Sequence, residues 1–350
     1  MNVPIFVPKQ TQEDWQAFFA FQVFHRPPEE WIKMRWGFNA GALLEEALDR
    51  YKLFIESQTV SEIEFRAGTM HNNTLVLRGI HSPEFGLKMV LLGKSSAPDR
   101  EEAQQAAQQY AREVFSTFPH DFLLVPAKTD SEYQQFGGEQ WLDGNSRVVQ
   151  IQRGIIFLPK GYEPHYLPGL WQTSPRSNEQ IWRALSAMPQ PTLFNIIIKP
   201  SFIYSQEKNL LEDMKQNISK QKDDAISACI PWIESYTKRR QAVWKKFFLA
   251  QVHLISNGGM ENLIRSIGSA LTRNSNDLTL PGYQAREASD NGQWCENIRS
   301  LDLTENTTRW DDLTDVDEVF SIFRFPYRPE AGLPGANFTQ PGEETDASLG

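Results

Sequence analysis

NTLVLRGIHSPEFGLKMVLLG, residues 73–93, holds two stretches of period-2 patterning, NTLVLRG and GLKMVLLG, on either side of a Ser82-Pro83 turn signal. Successive side chains of a strand point to opposite faces, and a short turn between two such runs favours antiparallel pairing. Just upstream, SEIEFRAG (61–68) alternates in the same way: Ile63 and Phe65 face one side, Glu62, Glu64 and Arg66 the other. With a turn at His71-Asn72, the three segments predict an antiparallel meander.

Downstream of the meander the pattern changes to a helical one. Asp99 predicts an N-cap, with Glu102 three residues on completing a capping box, and Ala103, Ala107, Tyr110, Val114 and Phe118 form an inward stripe. DFLLVPA (121–127) then predicts a strand. The order β-β-β-α-β implies an α+β fold, an antiparallel sheet with helices laid over it.

The flanks are assigned by the same rules. TQEDWQAFFAFQVF (11–24) predicts a short helix ended by Arg26-Pro27-Pro28, and AGALLEEALDRYKLFIES (40–57) a second, so residues 1–58 are expected to be helical. A first α+β subdomain is expected over 59–146, closing with the polar stretch TDSEYQQFGGEQWLDGNS (129–146). A second, 147–335, opens with strand signals in RVVQIQRGIIFLPK, continues with a helix capped by Ser177 and Gln180 and running to about Met188, and then reads as a buried strand at TLFNIIIKP (192–200).

Residues 205–256 predict a long helical pair with a break or kink at Pro231. Leu211, Met214, Ile218 and Ala225 form one seam, and Tyr236, Val243, Phe247, Ala250 and Leu254 the next. GGMENLIRSIGSALTR predicts another helix starting at Gly258-Gly259. An acidic, turn-rich segment (289–317) leads to a final helix capped by Thr314 with Asp317. Residues 336–350 have the composition of a disordered tail or linker.

Composition narrows the function classes. A 350-residue chain with 40% apolar residues, including 22 Phe, 10 Trp and 9 Tyr, has enough apolar surface to fold, and its length predicts about two units. No run approaches the ~18 apolar residues of a membrane span, and the N-terminus lacks a secretory signal pattern, so a cytoplasmic location is expected. In that compartment the widely separated Cys229 and Cys295 are expected as reduced, buried thiols. A net charge of −9 argues against nucleic-acid binding by the whole surface and leaves local contact open.

None of the familiar chemical signatures is complete. LLGKSS (91–96) ends like a phosphate-binding loop, but the position five before Gly93 is Lys88 and KMVLL reads as continuous strand, leaving no flexible backbone to curl round a phosphate. The six histidines show neither HExxH nor HxxxH, the cysteines form no pair, and GxSxG is absent. No metal, no cofactor and no catalytic residue is therefore assigned, and the chain itself is not expected to be an enzyme. The basic cluster TKRRQAVWKK offers Lys238, Arg239, Lys245 and Lys246 as candidate phosphate contacts, against the alternative of a solvated helix face.

The closing stretch FRFPYRPEAGLPG (323–335) carries the one family resemblance. A capped helix runs into Phe323-Arg324-Phe325-Pro326 and then a Gly332-Leu333-Pro334-Gly335 turn. This resembles the junction that ends the N-terminal domain of HerA-like and conjugative type IV secretion-like ATPases, and the similarity covers mainly residues 190–335. In that family the turn leads into Walker A and Walker B, which residues 1–350 do not contain.

The resemblance implies a non-catalytic assembly and docking module whose partner is a P-loop ATPase domain or subunit of a hexameric motor. It also implies that Phe323, Arg324, Phe325, Pro326, Tyr327, Gly332, Leu333, Pro334 and Gly335 form the docking connector. Two uses of the aromatics stay open: anchoring another domain, or sealing the base of their own. A free-standing nucleic-acid-associated protein using the Lys238 to Lys246 face is the other reading.

Overall fold

A computed structural model of the chain describes residues 3–10, 14–25, 40–60, 72–157, 166–172, 175–218, 224–241, 246–272, 282–305 and 308–326. The decisive stretch forms β3 (Asn72–Ser82) and β4 (Gly86–Ala97), antiparallel from Asn72↔Ser96 to Ser82↔Gly86. The meander's first expected member, 61–68, lies outside the described residues. β3 alternates as its sequence predicts, with Leu75 and Leu77 in one buried cluster and Val76 and Ile80 in another on the opposite side. Both faces of the sheet are therefore covered.

Around this hairpin grows one ten-stranded sheet. Its other strands are β1 (Phe6–Gln10), β2 (Trp15–His25), β5 (Phe122–Pro126), β6 (Arg147–Arg153), β9 (Thr192–Ser201), β10 (Phe247–Ser256), β11 (Tyr283–Glu287) and β12 (Leu313–Asp315). The order is β1-β2-β4-β3-β9-β10-β6-β11, with β5 also on β2 and β12 also on β10. β7 (Ile155–Phe157) and β8 (Tyr166–Pro168) make a separate small hairpin. All pairings between these strands are antiparallel, and with helices on the sheet the architecture is the expected α+β.

β3 pairs with β9 from Leu75↔Ile198 to His81↔Thr192, so the sheet runs through both of the expected subdomains, 59–146 and 147–335. β2 and β10 play equivalent roles. One edge of β2 is shared by β1 and β5, and one edge of β10 by β12 and β6.

The first face is covered by α1 (Ala40–Ser57), α2 (Arg100–Thr117), α4 (Pro175–Ser186), α7 (Glu261–Leu271) and α9 (Val316–Ile322). Tyr51, Tyr110, Val114, Trp182, Ile267 and Val319 come down on Phe19, Phe21, Leu91, Phe194 and Val252. The second face carries α3 (Asp130–Gly137) and α8 (Asn291–Arg299), through Tyr133, Phe136, Trp294 and Ile298. At the end of the sheet α5 (Ser205–Ile218) and α6 (Asp224–Gln241) enclose a third cluster around Leu211, Met214, Ile233, Tyr236 and Phe247.

Several expectations are corrected. Of the helix expected over 11–24, the residues from Trp15 on are strand, β2 running to His25. With Phe19, Phe21 and Val23 in the first cluster and Phe18 and Ala20 in the second, a strand covered on both faces loses its polar alternation and mimics a helical run. The second seam of the expected helical pair fails for the same reason: α6 ends at Gln241, and FFLAQVHLIS is β10, paired with β9 along its whole length. α6 also runs through Pro231.

The polar stretch 129–146 contains α3, capped by Thr129 at its start and by Gly138, in the left-handed region at φ 66°, at its end. The turn-rich segment 289–317 contains α8, capped by Asp290, as well as β12. Ser177 lies inside the first turn of α4, which begins on Pro175 and ends at Ser186. α7 begins after Met260. Asp99 does cap α2, accepting from Glu102 N, and all five stripe residues are buried.

The second face carries a buried polar relay. Arg78 Nε donates to Asn195 Oδ1 (2.8 Å), and Asn195 Nδ2 approaches His253 Nδ1 at 3.5 Å. With Nδ1 as acceptor, His253 Nε2 donates to Thr304 Oγ1 (3.3 Å), which donates to Gln251 Oε1 (3.0 Å). Thr304 belongs to the strap that follows α8. In this strap Leu301, at φ 53°, is the one non-glycine residue among those described with positive φ.

Candidate docking site at the closing helix

The first turn of α9 is the most heavily tied point of the described structure. Its cap is Asp315, one residue beyond the expected Thr314, which instead sits in β12 with its hydroxyl on Phe248 O. Asp315 Oδ1 accepts from Glu318 N (3.1 Å) and Glu318 Oε2 accepts from Asp315 N (3.2 Å), a reciprocal capping box.

Both carboxylates do more than cap. Glu318 meets Arg153 Nη1 at 2.9 Å and Arg240 Nη2 at 2.6 Å, and accepts from Trp171 N at 3.2 Å. Asp315 takes both arms of Arg239, from Nε and from Nη2, the latter at 2.6 Å. Asp317 closes the set, 2.7 Å from Lys52 Nζ. Four cations from α1, β6 and α6 thus converge on three carboxylates of one helical turn.

Arg153, Arg240, Asp315 and Glu318 have fully buried side chains, so the cost of taking them out of water is offset by their mutual pairing. Burial by itself would lower the Arg240 guanidinium, but Glu318, Tyr236 and Asp315 carry it above the ordinary arginine value. Arg239 follows the same balance, burial opposing and the Asp315 hydrogen bond prevailing. Arg153 also extends Nη2 to the carbonyls of Trp310, Asp311 and Leu313, fastening the strand that feeds the helix.

The predicted connector begins inside the core. Phe323, Arg324, Phe325 and Pro326 are buried; Tyr327, Gly332, Leu333, Pro334 and Gly335 lie outside the described residues. The Phe325 ring stacks on Trp182 (6.3 Å between centroids) and meets Phe118 and Phe122 at 5.9 and 5.8 Å. Phe323 and Phe325 thus fill the core of their own domain. Asn178 Nδ2 donates to Arg324 O, and the Arg324 guanidinium lies over the Phe320 ring. Burial brings Arg324 down to about 10, against a smaller opposing pull from Tyr51.

The basic cluster is not brought together as one face. Arg239 points into the carboxylates of α9, Lys238 and Lys246 are exposed, and Lys245 lies outside the described residues. Sequence reasoning missed Arg153, Arg240, Asp315 and Glu318. The one signal for any of them was Asp-x-x-Glu at 315–318, a capping pattern that the adjacent Thr314-x-x-Asp317 imitates.

LLGKSS lies wholly within β4, and Gly93 is packed beneath Phe19. A Cβ at Gly93 would fall 2.0 Å from Phe19 Cζ. Among the described residues no group of three or more His, Cys, Asp or Glu is placed to hold a metal ion, and no helix is long and apolar enough to cross a membrane. No protein-family model matches the chain, and no curated protein matches it.

Proposed function

We propose that the chain is a non-catalytic docking module of a HerA-like or secretion-type ATP-driven translocase, with the P-loop ATPase core lying outside residues 1–350. The observation that carries this reading is the anchoring of α9 and Phe323–Pro326. Ion pairs from three elements and a cage of aromatic rings hold the point from which the chain leads on toward Gly332–Gly335. A connector that passes position or force to a motor needs such a fixed root, because a loose one would dissipate both. The incorporation of LLGKSS into a strand ladder supports the non-catalytic part: its amides face β2 and β3 and form no cradle.

The test has two steps. The reading frame containing this chain, or one beside it, should encode a Walker A motif. The purified chain and that ATPase should then elute as one complex whose mass, measured by light scattering, fixes the stoichiometry. Absence of the motif from both frames, or separate elution at micromolar concentrations, rejects the proposal.

A further inference from the structure

Two lysines project from the second face of the sheet with one threonine between them. The register sets Phe18, Lys94 and Thr74 side by side on β2, β4 and β3, and Lys199 follows on β9, one step beyond the Leu75↔Ile198 pair. Gln16, Ser96 and Asn72 form the adjoining row. At ~4.8 Å per strand the two lysine Cα atoms stand about 10 Å apart, a gap that two flexible four-carbon side chains can close on one small anion.

Among the described residues the charges at this level of the sheet do not balance. Asp302 Oδ1 reaches Lys94 Nζ, but Lys199, half-buried, has no carboxylate within ion-pair distance among the described residues. Nor do the side chains of Thr74, Ser96 and Gln16, all in buried residues, hydrogen-bond within the described structure. Burial holds both lysines below the ordinary lysine value, and Asp302 pulls each partly back.

Asp302 is also an unusual partner. Its side chain is 45% exposed where that of Lys94 is 3%, and it is delivered by the strap residue Leu301 in a backbone region that non-glycine residues disfavour. A carboxylate reaching in from solvent on a strained strap occupies the position an external anion would take.

We propose that Lys94 and Lys199, with Thr74 and Ser96 as neutral donors, form a seat for a small tetrahedral oxyanion of the phosphate or phosphomonoester class, held in the ligand-free protein by Asp302. The seat is independent of the docking function proposed above and does not involve a nucleotide-binding loop: the lysines come from strands, Thr74 from the strand between them at the same level, and Ser96 from the Lys94 strand one row on.

The test uses the full chain and brief acylation with acetic anhydride, read by mass spectrometry with and without inorganic phosphate at constant ionic strength. Phosphate at about four times its Kd should slow labelling of Lys199 about fivefold and leave the exposed Lys238 and Lys246 unchanged. Glycerol 3-phosphate in a parallel arm distinguishes a monoester ligand from free phosphate by which protects at lower concentration.

Asp302→Asn should bind the better probe about tenfold more tightly in calorimetry, because a resident competitor has been removed. Lys199→Gln in the Asp302→Asn background should abolish that gain while circular dichroism stays unchanged. Equal protection of Lys199 and Lys238, or an Asp302→Asn affinity that Lys199→Gln does not alter, would overturn the proposal. Saturation of neither probe at 20 mM, roughly the weakest limit worth calling a site, would do the same.

Discussion

His253 is enclosed by β9, β10 and the strap, and its surroundings determine its protonation. Burial, reinforced by the Arg78 charge, lowers it from the ordinary 6.5 to about 3. Since Nδ1 accepts and Nε2 donates, the neutral ring satisfies the relay from Arg78 to Gln251, whereas a second proton would face Asn195 Nδ2, itself a donor. Between pH 6.5 and 3 the unfolded chain takes up a proton that the folded chain refuses, so this residue's contribution to stability falls as the pH is lowered through that window. The loss is on the order of 4 kcal/mol at pH 3. His253→Gln should remove this component: in urea titrations at pH 7 and pH 4, the variant's midpoint should shift less than that of the wild type.

Among the elements, α9 shows how burial decides the value of an ion pair. Glu318→Ala leaves Arg153 without its carboxylate and Arg240 with only Asp315, at 3.9 Å, in a site closed to water, and should cost about 3–5 kcal/mol. Lys52→Ala removes a pair whose side chains are 40% and 39% exposed, and should cost under about 1 kcal/mol. Equilibrium denaturation of the two variants side by side checks the contrast; equal losses would mean that the network is not holding the helix. α2, with one wet face, was legible in the sequence, Glu101, Gln104 and Gln105 lying outward, and β3 and β4, though covered on both faces, were legible through the turn signal that joins them. β2 and β10 were not, because strands buried on both faces lose period-2 contrast. The ion network was equally hidden, since its members come from positions as distant as 52, 153, 240 and 318 and look like ordinary surface charges until the fold assembles them.

At the scale of the whole molecule, β3 and β9 sit at the centre of the sheet, and each belongs to a different half of the chain. Seven residue pairs join them, and the first-face cluster spans both halves with Phe194 and Ile196 beside Leu75 and Leu77. The halves should therefore unfold together. Tryptophan fluorescence, reporting on Trp182 over the first face and Trp294 over the second, should share one urea midpoint with circular dichroism; two separated transitions would show that the halves melt independently.

The three-residue contact of β12 with β10 has a mechanical corollary. Traction applied beyond Pro326 passes through the closing helix and its ion pairs to Leu313–Asp315, whose ladder bonds to β10 lie across the strand. The tug then spreads into the middle of the sheet, so whatever pulls on that end moves the body as a unit before it peels anything away.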